Sequence, residues 1–102
     1  MRKVFKRKVY DSNKGEVVAS CSSGVQGNAN YAIETLRRTD KGNFFLVCQG
    51  RTITRCAESN VRVARDGQIL VVLNAGAAKE WLSEVGHDEK YIQLFGSELT
   101  EA

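Results

Sequence analysis

The alternation of apolar and polar residues predicts strands in the first two thirds of the chain and helices in the last third. Residues 3–10, KVFKRKVY, alternate imperfectly and are rich in lysine, which predicts an edge strand because charge discourages pairing with another molecule. A turn signal, DSNKG, follows at 11–15, and EVVAS at 16–20 predicts a short second strand. The segment CSSGVQGNAN at 21–30 has two glycines and few apolar residues, so we expect a flexible loop.

The clearest pattern is a hairpin in the middle of the chain. The segments YAIETLRR and FFLVCQ flank TDKGN, in which Asp40-Lys41-Gly42 suits a three-residue loop closed by a left-handed glycine. This loop pairs Thr39 with Asn43 and so fixes the register. The predicted pairs on one face are Arg38 with Phe44, Leu36 with Leu46 and Glu34 with Cys48, and those on the other are Arg37 with Phe45, Thr35 with Val47 and Ile33 with Gln49. Each face therefore carries one arginine opposite one phenylalanine near the tip.

A second hairpin signal follows. Asp66-Gly67 separates VRVAR from QILVVL, and Asp-Gly between apolar runs predicts a two-residue turn. The run ILVVL is continuously apolar, which places this strand in the interior of the sheet.

Two helices are predicted at the end of the chain. In NAGAAKEWLSEVG we expect Asn74 as the N-cap and Gly86 as the left-handed residue after the helix. The stripe expected to face the sheet consists of Ala78, Trp81, Leu82 and Val85. In HDEKYIQLFG we expect Asp88 to cap a second helix, with Tyr91, Ile92, Leu94 and Phe95 as its apolar residues, and Gly96 to end it.

Strands followed by helices, with no alternating β-α-β signal, predict an α+β fold. We expect a mostly antiparallel sheet of four to five strands with one or two C-terminal helices packed on one face. A chain of 102 residues forms one domain, residues 1–102, with a single core. Its content of 42% hydrophobic and 26% charged residues is typical of a folded protein.

The net charge of +3 is unevenly distributed along the chain. Residues 1–15 carry six Lys or Arg against Asp11, and residues 66–102 carry two Lys against seven acidic residues. The first two thirds of the chain is thus basic and its end acidic. Such polarity indicates either a surface for a partner or two faces of one small fold that complement each other.

No catalytic or cofactor site is expected. Nucleophilic catalysis of the Cys-His or Ser-His type needs a positioned base, and His87 is the only histidine. It lies between the two predicted helices, where we expect a structural or solvent-exposed side chain, and it precedes Asp88, which is better explained as a cap. Cys21, Cys48 and Cys56 have no metal-ligand spacing, and we expect them to be buried free thiols. We therefore expect a protein that is not an enzyme and needs no cofactor or metal.

Membrane insertion and secretion are not expected either. No run approaches the roughly 20 apolar residues that a membrane span requires. The N-terminal segment MRKVFKRKVYD has no apolar stretch behind its charges. We expect a cytoplasmic protein.

Nucleic-acid binding has one specific and one general signal. The segment KGNFFLVC resembles the first ribonucleoprotein motif of RNA-recognition-motif domains in Lys-Gly, Phe45 and Leu46, but it departs from the motif at Asn43, Phe44 and Cys48, and the βαββαβ order is missing. A general basic surface around the two hairpins could bind phosphates, or its side chains could be ordinary strand residues with their charges in water. The cations concerned are Arg37, Arg38, Lys41, Arg51, Arg55, Arg62 and Arg65.

Several segments together resemble a group of small proteins encoded by phages, plasmids and other bacterial mobile elements. The resemblance rests on KVYD near the start, ETLRRTDKGNFFL in the middle, AAKEWLSE, and a last short helix that ends in LFG. The positions that fit the group are Glu34, Thr35, Leu36, Arg38, Thr39, Gly42, Phe45, Leu46, Glu80 and Trp81. Arg37 stands where a tyrosine is usual in the group, and the Gly-rich stretch that commonly follows the hairpin is reduced to Gly50.

By association, the resemblance implies a non-enzymatic, stoichiometric inhibitor, anti-CRISPR-like, that binds a host protein or ribonucleoprotein complex in the bacterial cytoplasm. Arginine and aromatic residues are the usual anchors of such an interface, so we expect it around the first hairpin. The expected partner-binding residues are Arg37, Arg38, Lys41, Phe44, Phe45 and Arg51.

Two alternatives remain open from the sequence. An acidic surface could imitate phosphates against a basic nucleic-acid channel; its residues are Glu80, Glu84, Asp88, Glu89 and Glu98. The protein could instead be a nucleic-acid-binding accessory or regulatory module that uses the basic hairpin surface.

Overall fold

The computed structural model describes residues 1–24, 27, 31–50, 61–65 and 67–102, and within these ranges it has seven strands followed by two helices. The strands are β1 (Arg2–Phe5), β2 (Lys8–Asp11), β3 (Glu16–Ser23), β4 (Ala32–Arg38), β5 (Phe44–Gly50), β6 (Arg62–Arg65) and β7 (Gln68–Leu73). The helices are α1 (Ala75–Glu84) and α2 (Asp88–Phe95), and a short 3₁₀ turn, Gly96–Glu98, follows them.

The predicted α+β class is confirmed. Five strands form an antiparallel sheet in the order β3-β4-β5-β7-β6, and β1 and β2 form a separate two-stranded sheet. The helices come after all the strands and pack on one face of the larger sheet. Neither of these described helices is long and apolar enough to cross a membrane.

The predicted register of the central hairpin is confirmed. Arg37 pairs with Phe45 and Arg38 with Phe44, and the remaining pairs follow as expected. The loop is closed by a hydrogen bond from Thr39 N to the Asn43 carbonyl oxygen at 2.8 Å. Local turn chemistry therefore suffices to set this hairpin.

The β6–β7 hairpin also agrees with its prediction. Arg65 pairs with Gln68 across a two-residue turn, and Gly67 has a φ of 78°. Asp66, the other predicted turn residue, lies outside the described residues. The strand β7 lies between β5 and β6, as its apolar run indicates.

The prediction of a single edge strand at residues 3–10 is wrong. The chain instead turns back at Lys6 and Arg7, so that β1 and β2 pair as a hairpin, with Val4 opposite Val9. Because Lys-Arg is not a recognised turn sequence, the pattern gave no sign of this reversal. The hairpin adds a layer on the face of the sheet away from the helices.

The strand β3 is longer than predicted. It continues to Ser23, which pairs with Ala32, so the first part of the expected loop at 21–30 is regular strand. The pairing shifts between Val17 and Ala19. This bulge lets Val18 and Ala19 both contact the core beneath the helices.

The first helix is as predicted and the second differs in detail. The Asn74 side chain accepts a hydrogen bond from Ala77 N at 2.7 Å, and Gly86 has a φ of 82°. In α2 the N-cap is His87 rather than Asp88, and it makes no side-chain capping bond. Of the apolar residues of α2, Tyr91, Leu94 and Phe95 pack against the core, whereas Ile92 is 52% exposed.

Two cores lie on opposite faces of the sheet, because successive strand residues point to opposite sides. On the helix face, the buried residues are Val18, Leu36, Phe44, Leu46, Cys48, Val71, Ala78, Trp81 and Leu82. On the other face, Tyr10 of the β1–β2 hairpin packs on the sheet residues Phe45, Val47 and Leu70. The fold thus has three layers rather than the two that chain length and element order suggest.

The cysteines correct one further expectation. Cys21 is a half-buried free thiol, whereas Cys48 is buried and disulfide-bonded. The prediction that all three cysteines are free thiols is therefore wrong.

Candidate binding surface

The most basic part of the molecule is the layer formed by residues 1–15, which we call the basic layer. It comprises the β1–β2 hairpin and the turn that follows it, and it carries six cations against one carboxylate. The cations are Arg2, Lys3, Lys6, Arg7, Lys8 and Lys14. Because the inner side of the hairpin is held by a buried core, this layer is a fixed surface of the fold.

Two aromatic rings attach the basic layer to the sheet. Tyr10 contacts Phe45 edge to face, with ring centroids 5.9 Å apart. Both residues are almost fully buried, at 4% and 1% exposure. Burial also raises the pKa of the Tyr10 hydroxyl, because the phenolate would lose hydration.

The turn of the basic layer is conformationally unusual. Lys6 and Arg7 have φ values of 50° and 64°, in the left-handed region that disfavours residues with a Cβ atom. Each such residue costs about 1 kcal/mol, and this turn type usually has Asn-Gly at these positions. The turn therefore presents two cations where the backbone would favour smaller residues.

An open cleft of about 340 Å³ lies between β2 and the tip of the β4–β5 hairpin. Two parts of the chain line it: the basic layer with its two turns, and the β4–β5 loop together with Phe45. Its cations are Arg2, Arg7, Lys8, Lys14 and Lys41, and its carboxylates are Asp11 and Asp40. The charged side chains of the lining thus sum to a net charge of +3.

Hydrogen bonds organise the wall of this cleft. Lys8 Nζ donates to Asn43 Oδ1 at 3.0 Å, which joins the basic layer to the β4–β5 tip. Asp11 Oδ1 accepts from the backbone N–H of Asn13 at 2.9 Å, and Arg2 Nε lies 3.7 Å from Asp11 Oδ2. The hydrogen bond, and then the nearby positive charges, lower the pKa of the Asp11 carboxyl.

The two arginines predicted as anchors make contacts within the protein. Arg37 donates from Nη1 to the carbonyl oxygens of Lys14 at 3.4 Å and Gly15 at 3.3 Å. Arg38 donates from Nη2 to Glu16 Oε1 at 2.6 Å. Both arginines are half-buried, so they hold the turn after β2 against the sheet and do not extend freely into solvent.

The two phenylalanines predicted as anchors lie inside the protein. Phe45 belongs to the core under the basic layer, and Phe44 packs on the Phe95 ring at a centroid distance of 5.7 Å. Their exposures of 1% and 6% leave no accessible ring face. A role in the two cores therefore accounts for both phenylalanines, and no binding partner is needed to explain them.

The remaining two predicted anchors have different outcomes. Lys41 is exposed at the β4–β5 tip, and it lines the cleft. Arg51 lies outside the described residues, as does Arg55. The structure therefore brings Lys41 together with cations of the N-terminal segment. In the sequence, only the positive charge of that segment pointed to it.

The acidic residues of the C-terminal segment lie on the opposite side of the sheet. The segment 75–102 carries six acidic residues against Lys79 and Lys90, and its helices pack on the face away from the basic layer. Lys79 Nζ pairs with Glu98 Oε2 at 2.5 Å, within this layer. We call residues 75–102 the acidic layer.

A polar network crosses the helix-face core, and its members include the single histidine. Trp81 Nε1 donates to Glu34 Oε1 at 3.3 Å, and the Trp81 ring stacks on His87 at a centroid distance of 6.0 Å. His87 Nε2 lies 2.8 Å from the Ser20 carbonyl oxygen. These contacts connect the junction of α1 and α2 to β3, which is a structural role.

The sequence interpretation missed Arg7, Lys8 and Lys14 as neighbours of Lys41. The signal that points to them is the excess of five positive charges in residues 1–15. Within the ranges that the structure describes, no three His, Cys, Asp or Glu side chains are grouped so that they could hold a metal ion.

Comparison of the chain with protein families, curated proteins and solved structures finds no match. The basic layer, the cleft and the acidic layer are the features of the molecule that bear on its function.

Proposed function

We propose that this protein is a non-enzymatic interaction protein, a stoichiometric inhibitor of the anti-CRISPR kind. In this proposal it binds a host ribonucleoprotein or protein complex through the basic layer. The observation that carries the proposal is the separation of charge onto opposite faces of one sheet.

This separation argues against charges that serve only to hold the fold together. The ion pairs between described residues join Arg2 to Asp11, Arg38 to Glu16 and Lys79 to Glu98, and none of these connects the basic layer with the acidic layer. A surface with such an excess of one sign attracts a partner of the opposite sign.

Steric inhibition requires a rigid surface and a few anchors, with no catalytic group. The basic layer meets the first requirement, because its inner side is fixed by Tyr10 on Phe45 and its following turn by Arg37. A ribonucleoprotein complex supplies the complementary charge, since every phosphate of its RNA carries a negative charge.

The proposal can be tested in bacteria that carry an active RNA-guided nuclease. We expect the protein to restore transformation by a targeted plasmid towards the level of an untargeted one. Purification should recover the protein with the nuclease and its guide RNA at a fixed stoichiometry. If the native protein gives neither protection nor a complex, it is not such an inhibitor.

Two matched double variants show which layer of the protein, basic or acidic, binds the partner. Arg7→Glu/Lys14→Glu reverses two charges on the basic layer, and Glu80→Lys/Glu89→Lys reverses two on the acidic layer. We expect protection to be lost only with the first pair. Loss only with the second pair would contradict the use of the basic layer and favour the acidic surface as a phosphate mimic. Circular dichroism checks that both variants fold.

A further inference from the structure

We infer that the cleft between β2 and the β4–β5 tip binds the sugar-phosphate backbone of a single nucleic-acid strand. The inference rests on the proposed function, because it names the chemistry that the basic layer recognises. It adds where on the basic layer the ligand binds and which of its groups are contacted, which the charge excess alone does not specify.

The charges of the cleft suit a phosphate chain. Arg7, Lys14 and Lys41 are exposed, and their side chains make no hydrogen bond or ion pair with any described residue. The Lys8 ammonium uses one of its three protons on Asn43, which leaves two for a ligand. Four cations of the lining therefore remain available.

The carboxylates of the cleft weaken this attraction only in part. Asp11 already accepts the Asn13 N–H, and the N-terminal ammonium group, Lys14 and Arg2 all lie near its carboxylate, so part of its charge is compensated within the basic layer. Asp40 is exposed in the β4–β5 loop, next to Lys41. Neither removes the net positive charge of the lining.

The length of the cleft favours a chain over a single anion. The wall includes the whole of β2, from Lys8 to Asp11, and continues to Lys14. At about 3.3 Å per strand residue, β2 alone covers about 10 Å. This length exceeds the width of one phosphate group, so the wall can contact several successive phosphates of one chain.

The burial of the aromatic rings in the cleft favours contact with phosphates over contact with bases. Single-strand binders usually stack bases on exposed aromatic side chains. The two aromatic residues of this cleft, Tyr10 and Phe45, pack on each other and are almost fully buried. Bases have no ring to stack on here, so recognition is through phosphates and is insensitive to base sequence.

The strained turn is consistent with a binding role for Arg7. Its left-handed backbone costs free energy that a glycine at the same position would avoid. Strained backbone is often found at binding sites, where the position of a side chain matters more than local stability. Here the strain places a guanidinium group, which can contact phosphate through two N–H groups, in the lining of the cleft.

The test measures binding of the purified protein to fluorescein-labelled ten-nucleotide DNA and RNA strands by fluorescence anisotropy at several salt concentrations. Four phosphate contacts predict that log K falls with log salt with a slope of about −2.8, at about 0.7 per contact for single strands. We expect similar slopes for oligo-dT and a mixed sequence. The variant Lys14→Ala/Lys41→Ala should reduce the slope to about −1.4.

A matched control removes two cations outside the cleft. Arg62→Ala/Lys90→Ala changes the net charge by the same amount and should leave the slope near −2.8. If both double variants reduce the slope equally, or if no strand binds at low salt, the inference is wrong. A preference of tenfold or more for one base would also contradict it, because it requires base contacts.

Two competitors identify the ligand class. We expect unlabelled strands to displace the probe at lower phosphate concentration than inorganic phosphate does, since a chain occupies several contacts. Equal potency would indicate a single-anion site, and equal potency of poly-glutamate would indicate an acidic-protein site; either result would overturn the inference. Plasmid protection and complex recovery test the proposed function separately, so the two can fail independently.

Discussion

Lys8 and Asn43 are 35 residues apart in sequence, yet Lys8 Nζ donates to Asn43 Oδ1 at 3.0 Å. The bond joins the end of the basic layer to the β4–β5 tip, the two elements that form the walls of the cleft. The two hairpins also share the buried contact of Tyr10 with Phe45, so this bond adds a second, surface connection between the walls of the cleft.

Replacing the acceptor should loosen the basic layer without unfolding the protein. For Asn43→Ala we expect a loss of about 0.5–1 kcal/mol, typical of one hydrogen bond in an exposed position. Amide hydrogen exchange should become faster in residues 1–15 and stay unchanged in α1. Asn13→Ala is the control, because only the backbone of Asn13 is used in the turn. Uniformly faster exchange throughout the chain would contradict this prediction.

The two phenylalanines should destabilise different layers when truncated. Phe44→Ala and Phe45→Ala should each lower the free energy of unfolding in urea by about 3–5 kcal/mol, because each removes a buried ring. Hydrogen exchange should rise first in the helices for Phe44→Ala and first in residues 1–15 for Phe45→Ala.

The control for these truncations is Val9→Ala, on the outer side of the basic layer. Val9 is 52% exposed, so the change should stay within about 0.5 kcal/mol. If the free energy of unfolding falls by less than about 1 kcal/mol for either truncation, that phenylalanine is not a core residue, and a role in partner binding would again have to be considered.

Two glycines with similar backbone angles should respond differently to alanine. Gly15 and Gly42 have φ values of 86° and 84°, so Gly42→Ala should cost about 1 kcal/mol for backbone strain alone. At Gly15 an added Cβ would also lie 2.8 Å from the Arg38 carbonyl oxygen, whereas at Gly42 it would meet no atom within 4 Å. Urea unfolding should therefore show a larger loss for Gly15→Ala. Equal losses would contradict the close approach.

The Asp11 carboxylate should make stability depend on pH in acid. Its pKa is lower in the folded than in the unfolded chain, so its ionised form stabilises the fold above the unfolded pKa of about 3.9. This contribution is lost as the pH falls through the lowered, folded pKa. The urea midpoint of Asp11→Asn should thus be below that of the native protein at pH 7 and approach it near pH 2. A difference that persists unchanged in strong acid would contradict this assignment.

Elements with local turn chemistry could be predicted from the sequence. The β4–β5 register follows from Asp40-Lys41-Gly42, and the start of α1 follows from Asn74, because each signal acts within a few residues. The β1–β2 reversal could not be predicted, since Lys6 and Arg7 are not turn residues. It is stabilised by distant contacts such as Tyr10 on Phe45.

The candidate site was less predictable for the same reason. Arg37 and Arg38 looked like free anchors, but their partners lie about 22 residues earlier, at Lys14, Gly15 and Glu16. Only the folded chain shows that these arginines are used internally. Likewise, the cleft combines residues 2–15 with residues 39–45, and no spacing rule connects these two segments.

The opposite charges of the basic and acidic layers give the molecule an electric dipole across its sheet. In the field of a polyanion such a molecule rotates before contact, so that residues 1–15 lead and the helices trail. Productive encounters then become more frequent than random orientation allows, and added salt should slow association more than it speeds dissociation. If the proposed anionic partner exists, the third layer built by the strained hairpin sets how quickly, as well as where, this protein meets it.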